Sequence, residues 1–320
     1  MPQQQEPHAA HTVRLILGDQ LNEAHSWFSE PDQDTLFVLM EVRQETDYAW
    51  HHIQKVLGFF AAMRRFAERL RTRGHRVFYL TLENALNKQE IPVNLEWILA
   101  QTGARRFGYQ MPDEWRLDLQ LRAFTKSCGC IVETVDTEHF LTTRDELSAL
   151  FKGKKQYLME RFYRVMRERT GLLMRNGQPE GGQWNFDHDN RQRPPKDHVP
   201  PPPLVFDHDL RELHGLITQA GVKTIGSVDA SHFPWPLDRR ESLQLLAYFC
   251  ERLLHRFGTY QDAISPQSWS MYHARLSFSM NSKMLHPLEI CEAAEEAWRK
   301  DPERISLSQV EGFIRQIIGW

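Results

Sequence analysis

The chain has 320 residues, of which 41% are hydrophobic and 25% charged, with a formal net charge of −3. These values are typical of a globular protein that is large enough for two domains. The weak negative charge excludes a global basic field, so a nucleic-acid partner would need a local basic patch. Residues 1–11 are polar and no apolar run reaches about 18 residues, which predicts a cytoplasmic protein without a signal peptide, a membrane span or an evident protein partner.

Short apolar runs alternate with amphipathic stretches between Thr12 and about Leu141. Helices are predicted over residues 48–71, near 95–100 and near 114–125. Strands with the continuous apolar character of buried parallel strands are predicted at residues 13–18, 36–42, 77–82, 107–111 and 131–135. Strands that alternate with helices favour a doubly wound parallel sheet, so we predict a Rossmann-like α/β domain over residues 1–145.

A basic stretch follows at residues 152–175. It has helical periodicity and a local net charge of +6 in a chain that is acidic overall. A solvated helix face and a contact with a phosphate backbone explain this charge equally well, and both interpretations stay open. Arg161 and Arg164, interleaved with Phe162 and Tyr163, are the candidates for contact with nucleic acid.

The next segment, residues 176–203, is too rich in Gly and Pro for a long helix or a central strand. Trp184 and Phe186 are unusual in a linker, so the first half of this segment is predicted to pack on another surface. The four prolines at 200–203 predict a stiff extended spacer. Residues 146–238 as a whole are therefore predicted to connect two domains.

From about Arg239 onward the pattern is helical, with apolar stripes on several predicted helices. The last stripe, at residues 310–318, is followed by Gly319 and Trp320 without a polar tail. We expect residues 239–320 to be the first part of an all-helical domain that continues in a longer parent protein.

Two groups of residues raise the question of a metal site. The chain has four cysteines, which are Cys128, Cys130, Cys250 and Cys291. Four thiolates are enough for a zinc ion or an iron–sulfur cluster, but the first two flank one glycine and the others lie on apolar faces of separate predicted helices, so we predict buried free thiols. His51 and His52 are adjacent on a predicted helix and point in different directions, which disfavours one ion held by both.

Polar residues follow the first two predicted strands. Gly18 and Asp19 stand at the carboxyl end of the first strand, and Glu41 and Glu45 stand at the carboxyl end of the second. Ligands of open α/β sheets bind at the carboxyl ends of the strands, so these residues predict a ligand site. The segment lacks the GxGxxG spacing, which disfavours a dinucleotide.

A second candidate site lies in the helical region. Arg275 stands two residues before Ser277, which precedes a predicted helix. A cation, a hydroxyl and helix amides suit a phosphate group. The same residues also make an ordinary serine cap, so both alternatives stay open.

Three stretches together resemble the iron–sulfur bacterial branch of the cryptochrome/photolyase family. They are LILGDQL at 15–21, the segment from MERFYRVMRERTGLLM to GQWNFDHDNR at 159–191, and VEGFIRQIIGW at 310–320. The similarity covers nearly the whole chain in the right order, and the middle stretch is highly specific. HARLS at 273–277 is similar to the loop that holds the FAD diphosphate in this family, although His273 and Ala274 stand where the family at large has Thr and Ser.

The resemblance implies an N-terminal antenna domain followed by a helical FAD-binding domain that is incomplete in this chain. The implied antenna pocket, which in this branch takes 6,7-dimethyl-8-ribityllumazine, is lined by Gly18, Asp19, Met40, Glu41 and Glu45. The implied contacts with the FAD phosphates come from Tyr260, Arg275, Leu276 and Ser277. The implied DNA-facing residues are Arg161, Arg164, Trp184, Asn185, Asp187 and Arg191.

The function that the resemblance implies is light-driven repair of UV-damaged DNA, either pyrimidine (6–4) photoproducts or dimers, by electron transfer from reduced FAD. The family's lesion-contacting residues and the ligands of its iron–sulfur cluster are expected beyond this chain, so no catalytic or metal-binding residue is assigned. We therefore expect the chain to be too short for activity alone. A cryptochrome-like blue-light photoreceptor and a truncated, non-catalytic chromophore-binding protein stay open as alternatives.

Overall fold

The structure, a computed structural model, describes residues 6–319. Its strands are β1 (Thr12–Leu15), β2 (Thr35–Met40), β3 (His51–His52), β4 (Arg76–Leu80), β5 (Arg106–Gln110), β6 (Ile131–Val135), β7 (Met174–Arg175), β8 (Gln178–Pro179) and β9 (Thr224–Ile225). Strands β1, β2, β4, β5 and β6 lie at the five positions that the apolar runs predict. The predicted α/β class is confirmed.

These five strands form one parallel sheet in the order β4-β2-β1-β5-β6. Val13 of β1 lies opposite Leu36 of β2 on one side and opposite Phe107 of β5 on the other. The chain winds from β1 through β2 to β4 at one edge, then returns to the other side of β1 for β5 and β6. The sheet is therefore doubly wound, and its topological switch point lies between β1 and β5.

The helices complete the architecture. They are α1 (Arg43–Asp47), α2 (Ile53–Thr72), α3 (Ile91–Thr102), α4 (Trp115–Thr125), α5 (Glu146–Leu150), α6 (Met159–Thr170), α7 (Arg211–Gln219), α8 (Arg239–Tyr248), α9 (Leu254–Tyr260), α10 (Ser277–Asn281), α11 (Pro287–Lys300) and α12 (Leu307–Ile318). A π-helical turn at Phe249–Leu253 joins α8 to α9. Trp320, the last residue of the third similar stretch, lies outside the described residues.

The predicted helix over residues 48–71 begins later than expected. His52 pairs with Ile225 where β3 runs parallel to β9, and this pairing keeps the backbone extended up to His52. The Nδ1 atom of His52 then accepts a hydrogen bond from Gln54 N at 3.2 Å and caps α2. Residues 43–47 form the separate helix α1, so the long helix itself begins at Ile53.

The basic stretch is also less helical than its period predicts. Lys154 N donates to Phe151 O at 2.9 Å in a turn, and the helix begins only at Met159. It ends at Gly171, whose φ of 77° is the left-handed conformation that a glycine adopts without strain. The eight cations of residues 152–175 therefore do not share one helix.

The described chain divides into two compact units. The first, called the α/β unit here, contains the chain up to Glu138 together with Val205–Arg239 and Asn281–Met284. The second, called the helical unit, contains His139–Leu204, Arg240–Met280 and the chain from Leu285 onward. The predicted domain boundaries near residues 145 and 238 stay a prediction.

A glycine in the central part of the sheet lets an ion pair cross a strand. Gly108 of β5 lies between Arg14 of β1 and Glu133 of β6, and Arg14 Nη2 reaches Glu133 Oε2 at 3.2 Å. A Cβ atom at Gly108 would lie 3.1 Å from Arg14 Cγ and 3.4 Å from Trp27 Cζ2. The missing side chain therefore makes room for the arginine stem, whose guanidinium lies 4.7 Å from the centroid of the Trp27 ring.

In the helical unit, the side chain of Asn190 fills a space that glycines leave between helices α9 and α12. Asn190 is buried, and its Nδ2 donates to Ser308 O at 3.0 Å. A Cβ atom on Gly258 of α9 would lie 2.5 Å from Asn190 Oδ1, and a Cβ atom on Gly312 of α12 would lie 3.0 Å from Asn190 Nδ2. The prediction that the segment around Trp184 and Phe186 packs on another surface agrees with this anchor a few residues further along the chain.

The four cysteines are free thiols. Cys291 is buried as predicted, whereas Cys128, Cys130 and Cys250 are half-buried. Burial raises the pKa of Cys250 to about 12, so this thiol stays protonated at neutral pH. Within residues 6–319, no three His, Cys, Asp or Glu side chains are grouped in a way that suits a metal ion.

No helix between residues 6 and 319 is both long and apolar enough to span a bilayer.

One buried histidine makes the stability of the α/β unit depend on pH. His75 packs edge-on against Phe28 and Phe37, with ring centroids 5.9 and 5.5 Å apart. Burial and the charge of Arg73 lower the pKa of His75 below its usual value of 6.5. As pH falls below 6.5, His75 binds a proton in the unfolded chain more readily than in the folded chain. The free energy of unfolding therefore decreases.

We therefore expect His75→Phe to make the free energy of unfolding less dependent on pH, because the ring packing is kept and the titrating group is removed. Urea unfolding between about pH 7.5 and pH 5.5 measures this dependence. His11→Gln is the control, since His11 is exposed and should leave the slope unchanged. An unchanged slope in His75→Phe would show that His75 does not titrate in this window.

Candidate functional site

A cavity of about 260 Å³ lies in the α/β unit at the carboxyl ends of β1 and β5. This position is the topological switch point of the sheet, where ligands of doubly wound folds bind. The cavity is lined by Leu17, Gly18, Asp19, Glu45, Thr46, Tyr48, His51, Lys55, Val56, Phe59, Phe60, Pro112, Asp113, Glu114 and Leu117. Three of the five residues predicted for the antenna pocket, Gly18, Asp19 and Glu45, are among them.

Gly18 brings helix α2 close to the end of β1. A Cβ atom at this position would lie 3.0 Å from the Sδ atom of Met63. Larger residues would push Met63 away and narrow the space beside Asp19. The glycine therefore shapes the cavity through close packing.

A buried lysine holds two carboxylates on the cavity wall. The Nζ atom of Lys283 lies 3.1 Å from Asp19 Oδ2 and 2.6 Å from Asp113 Oδ2, and it also donates to Asp19 O at 3.0 Å. The Lys283 side chain is 2% exposed, whereas the two aspartate side chains are about a third exposed, at 34% and 32%. Burial raises the pKa of Asp19, and the Lys283 ammonium opposes this shift.

Sequence reasoning missed Lys283, because nothing in the local pattern around it points to residue 19 or residue 113. Its backbone φ of 62° is unusual for a residue with a side chain and is the one local irregularity at this position. The three hydrogen bonds of its ammonium, two of them to carboxylates, keep the backbone in this conformation.

The opposite side of the cavity is organised by Arg116. Its guanidinium binds both oxygens of Glu45, at 3.1 and 2.9 Å, and reaches Glu114 Oε2 at 2.8 Å. The same guanidinium lies 4.3 Å from the centroid of the Tyr48 ring. Burial, together with the charges of Glu114 and Glu45, raises the pKa of the Tyr48 hydroxyl, so this group is a neutral hydrogen-bond donor.

His51 is the remaining titratable ring of the cavity. Its Nδ1 atom lies 3.2 Å from Lys55 Nζ. Burial and the Lys55 charge lower the pKa of His51, so the imidazole is neutral at neutral pH. The lining therefore has four carboxylates and one ammonium, with Lys283 and Arg116 as further cations behind it.

Two of the predicted antenna residues do not line the cavity. Met40 is 6% exposed and packs in the hydrophobic core. Glu41 has no exposed surface and accepts hydrogen bonds from Arg64, Tyr79 and the backbone of Leu82. Their assignment to an antenna site stays a prediction that the cavity does not support.

The predicted DNA-facing residues belong to the helical unit, and several of them have internal partners. Arg164 pairs with Glu160 at 3.0 Å, and its guanidinium lies 5.3 Å from the centroid of the half-buried Trp184 ring. Asp187 contacts Arg315 of α12. These contacts tie residues 184–187 to two helices.

The other predicted DNA-facing residues are less constrained. Arg191 is exposed and lies 3.3 Å from Asp262, while Asn185 is half-buried. Arg161 is exposed on α6. Arg167, which contributes to the basic charge, is fully buried and donates to the carbonyls of Leu172 and Trp184.

The segment similar to a phosphate loop has one half-buried cation, Arg275, which pairs with no carboxylate of the described residues. Arg275 donates from Nη2 to Leu204 O at 2.7 Å, and its guanidinium lies 5.2 Å from the centroid of the Trp269 ring. Among residues 6–319, its buried Nε atom has no hydrogen-bond partner. Burial lowers the pKa of Arg275, which reflects the shortage of negative charge around it.

The neighbours of Arg275 differ in what they expose. Ser277 is exposed and begins α10, whereas the Leu276 side chain is buried. The Tyr260 ring is 5% exposed and its hydroxyl lies 3.4 Å from Arg256 Nη1.

A scan against protein-family models matches residues 14–233 to the family described as deoxyribodipyrimidine photo-lyase-related protein. This match covers more than half of the chain. The chain belongs to the photolyase-related family.

Relatives of this photolyase-related chain are found among curated proteins and solved structures. It is 36% identical over 310 residues to a (6-4) photolyase of Agrobacterium fabrum, and the match covers 96% of this chain and 60% of that protein. It is 22% identical over 191 residues to an uncharacterized protein of Acanthamoeba polyphaga mimivirus, covering 57% of this chain and 95% of that protein. The chain thus spans about 60% of the length of the photolyase it matches.

The fold is similar to a solved structure as well. The crystal structure of a bacterial class III photolyase from Agrobacterium tumefaciens matches 99% of this chain and 59% of that chain, with a TM-score of 0.54 and 11% identity. At this level of identity, the match shows a common fold.

The photolyase family implies chromophores, and the residues present fit two of the implied groups. The cavity volume is just below the roughly 300–1,000 Å³ of typical ligand sites, which suits a compact ring system better than a dinucleotide. Its carboxylates and apolar walls suit a ring with N–H and O–H donors. The free Nε of Arg275 and the exposed Ser277 suit a phosphate group.

We expect Lys283→Met to lower the free energy of unfolding by about 2 kcal/mol, because Asp19 and Asp113 then lose their shared cation. This value lies below the roughly 3–5 kcal/mol of a fully buried pair, since both carboxylates are partly solvated. Urea unfolding measures the change, and Lys300→Met is the control, because Lys300 forms an exposed pair with Glu296. Equal losses in the two variants would contradict the role of Lys283.

Proposed function

We propose that this chain is the chromophore-binding part of a flavoprotein that repairs UV-damaged DNA with light. The substrates would be pyrimidine (6–4) photoproducts or dimers, as the name of the (6-4) photolyase relative suggests. The observation that supports this proposal best is the cavity at the sheet switch point, because a light-driven enzyme of this family needs a site for a small aromatic chromophore.

The antenna chromophore of the proposal is 6,7-dimethyl-8-ribityllumazine, a neutral ring system with a hydroxylated side chain. Asp19 and Glu45 accept hydrogen bonds from its N–H and O–H groups. Their cations, Lys283 and Arg116, hold both carboxylates in place. The Phe60 side chain supplies an apolar wall and shields the chromophore from water.

The second cofactor of the proposal is FAD, whose phosphates would bind the HARLS segment. When bound and reduced, FAD supplies an electron to the lesion after excitation by light. Arg275 donates hydrogen bonds from its free Nε to a phosphate oxygen, and Ser277 donates from its hydroxyl. Leu276 offers its backbone amide, and Tyr260 packs behind the loop.

The DNA-facing surface of the proposal is the segment 184–191 together with α6. Trp184 and Asn185 present an aromatic edge and an amide, while Arg161, Arg164 and Arg191 present cations to phosphates. Asp187 positions the segment through its contact with Arg315.

Repair is tested with an oligonucleotide that carries one (6–4) photoproduct. The whole flavoprotein of which this chain is proposed to be a part is loaded with reduced FAD, and the photoproduct is quantified by chromatography under blue light and in the dark. We expect loss of the photoproduct in the light, and Arg275→Gln should retain less FAD and repair more slowly. If the lesion persists and damaged DNA binds no more tightly than undamaged DNA, repair is excluded and the photoreceptor alternative is favoured.

We expect Glu45→Gln to weaken lumazine binding roughly tenfold, because the neutral amide is a weaker acceptor and loses its ion pair with Arg116. Fluorescence titration with the lumazine measures the affinity, and the visible absorption band of FAD measures flavin content, which should not change. Glu96→Gln on α3 is the control, because Glu96 is exposed and does not line the cavity. A loss of both chromophores would contradict separate sites.

A further inference from the structure

The cations of the basic stretch fall into two groups. In the second half of the stretch, each arginine already has a partner inside the helical unit. Arg169 pairs with Glu146 at 2.5 Å, Arg175 pairs with Glu180 at 3.2 Å, and Arg167 is buried against backbone carbonyls. The positive charges of these arginines are therefore largely compensated by contacts within the helical unit.

The first half of the stretch is different. Lys152, Lys154, Lys155 and Arg161 are all exposed. In the part of the chain that the structure describes, none of them lies within ion-pair distance of a carboxylate. Four unpaired positive charges therefore stand within ten residues of a protein whose net charge is negative.

An exposed aromatic ring stands among these cations. Tyr157 is 60% exposed, and its ring stacks on the buried Phe151 with centroids 4.8 Å apart and an angle of 24° between the planes. The Arg161 guanidinium lies 5.7 Å from the centroid of the same Phe151 ring. The buried Phe151 ring therefore covers one face of the Tyr157 ring, and the other face is open to solvent.

The backbone keeps this arrangement compact. Lys154 N donates to Phe151 O at 2.9 Å, and Gly153 in the same turn has a φ of 74°. The turn presents Lys152 and Lys154 on the same short loop as Tyr157, so the charges and the ring form one surface. We call residues 151–161 the lysine–tyrosine loop.

An aromatic ring with one supported face among unpaired cations is the arrangement that proteins use to bind single-stranded nucleic acid. The ring stacks on a base, and the cations contact the phosphates on either side. Duplex DNA satisfies the cations but not the ring, because its bases are stacked on each other. An acidic peptide also satisfies the cations and has no base for Tyr157.

We propose that the lysine–tyrosine loop binds unpaired nucleotides, with Tyr157 stacking on a base and Lys152, Lys154, Lys155 and Arg161 contacting its neighbouring phosphates. For the choice of DNA as the ligand, this site rests on the proposed function. It extends that function to the nucleotides of a strand that is separated or distorted beside a lesion. It shares Arg161 with the DNA-facing surface proposed above and adds to that surface Tyr157 and three lysines.

The test measures binding of an undamaged single-stranded oligonucleotide and of its duplex by fluorescence anisotropy, in the dark and at several salt concentrations. We expect Tyr157→Leu, which keeps the apolar cover on Phe151, to weaken single-strand binding roughly tenfold and to leave duplex binding unchanged. Tyr157→Phe should bind like the unchanged protein, because the stacking face is kept.

The cations are tested with the triple variant Lys152→Gln, Lys154→Gln, Lys155→Gln. For single strands, the slope of log affinity against log salt concentration should become shallower by about 2 in this variant. The matched control replaces three exposed lysines of the α/β unit, Lys88→Gln, Lys126→Gln and Lys223→Gln, which changes the net charge equally.

Three results would overturn the proposal: equal losses in the two triple variants, equal effects of Tyr157→Leu on single strands and duplex, or tighter binding of polyglutamate than of the single strand. Absence of binding by the unchanged protein would overturn it too. Because the assay uses undamaged DNA without light, its outcome is independent of the repair assay.

Discussion

Glu41 has no exposed surface, and its carboxylate anchors the elements at the edge of the sheet where the carboxyl ends of the strands and the cavity lie. It accepts from Arg64 at 2.7 and 2.9 Å, from the Tyr79 hydroxyl at 2.7 Å and from Leu82 N at 3.0 Å. An unpaired buried carboxylate costs several kcal/mol, so these donors lock α2 and β4 against the end of β2. Glu45, four residues later, is held in place by this constraint.

The helical unit uses a second buried glutamate in the same way. Glu311 of α12 has no exposed surface and accepts from the Tyr163 hydroxyl at 2.9 Å and from Phe186 N at 3.1 Å. Burial raises the pKa of Glu311, while these two donors favour its ionised form. One carboxylate thus joins α6, α12 and the segment that follows Trp184. In each unit, a buried glutamate that no ligand contacts positions a surface that is proposed to bind one.

The sheet and three residues of the cavity could be predicted from the sequence because both follow from local rules. Continuous apolar runs mark buried parallel strands, and the carboxyl ends of such strands meet, which brings Gly18, Asp19 and Glu45 together. Met40 and Glu41 lie in the interior instead, Met40 in the hydrophobic core and Glu41 against Arg64 and Tyr79. Lys283 and Arg116 could not be predicted, because their partners are remote in sequence and no local pattern records the pairing.

The position of Lys283 in the chain has a consequence for biosynthesis. The ribosome synthesises the five strands within the first 135 residues, but the cation between Asp19 and Asp113 follows only at residue 283. Domains generally fold as they emerge, N-terminal parts first. The nascent α/β unit therefore carries two uncompensated carboxylates until Lys283, 170 residues after Asp113, has been synthesised, and only then can this wall of the cavity be completed.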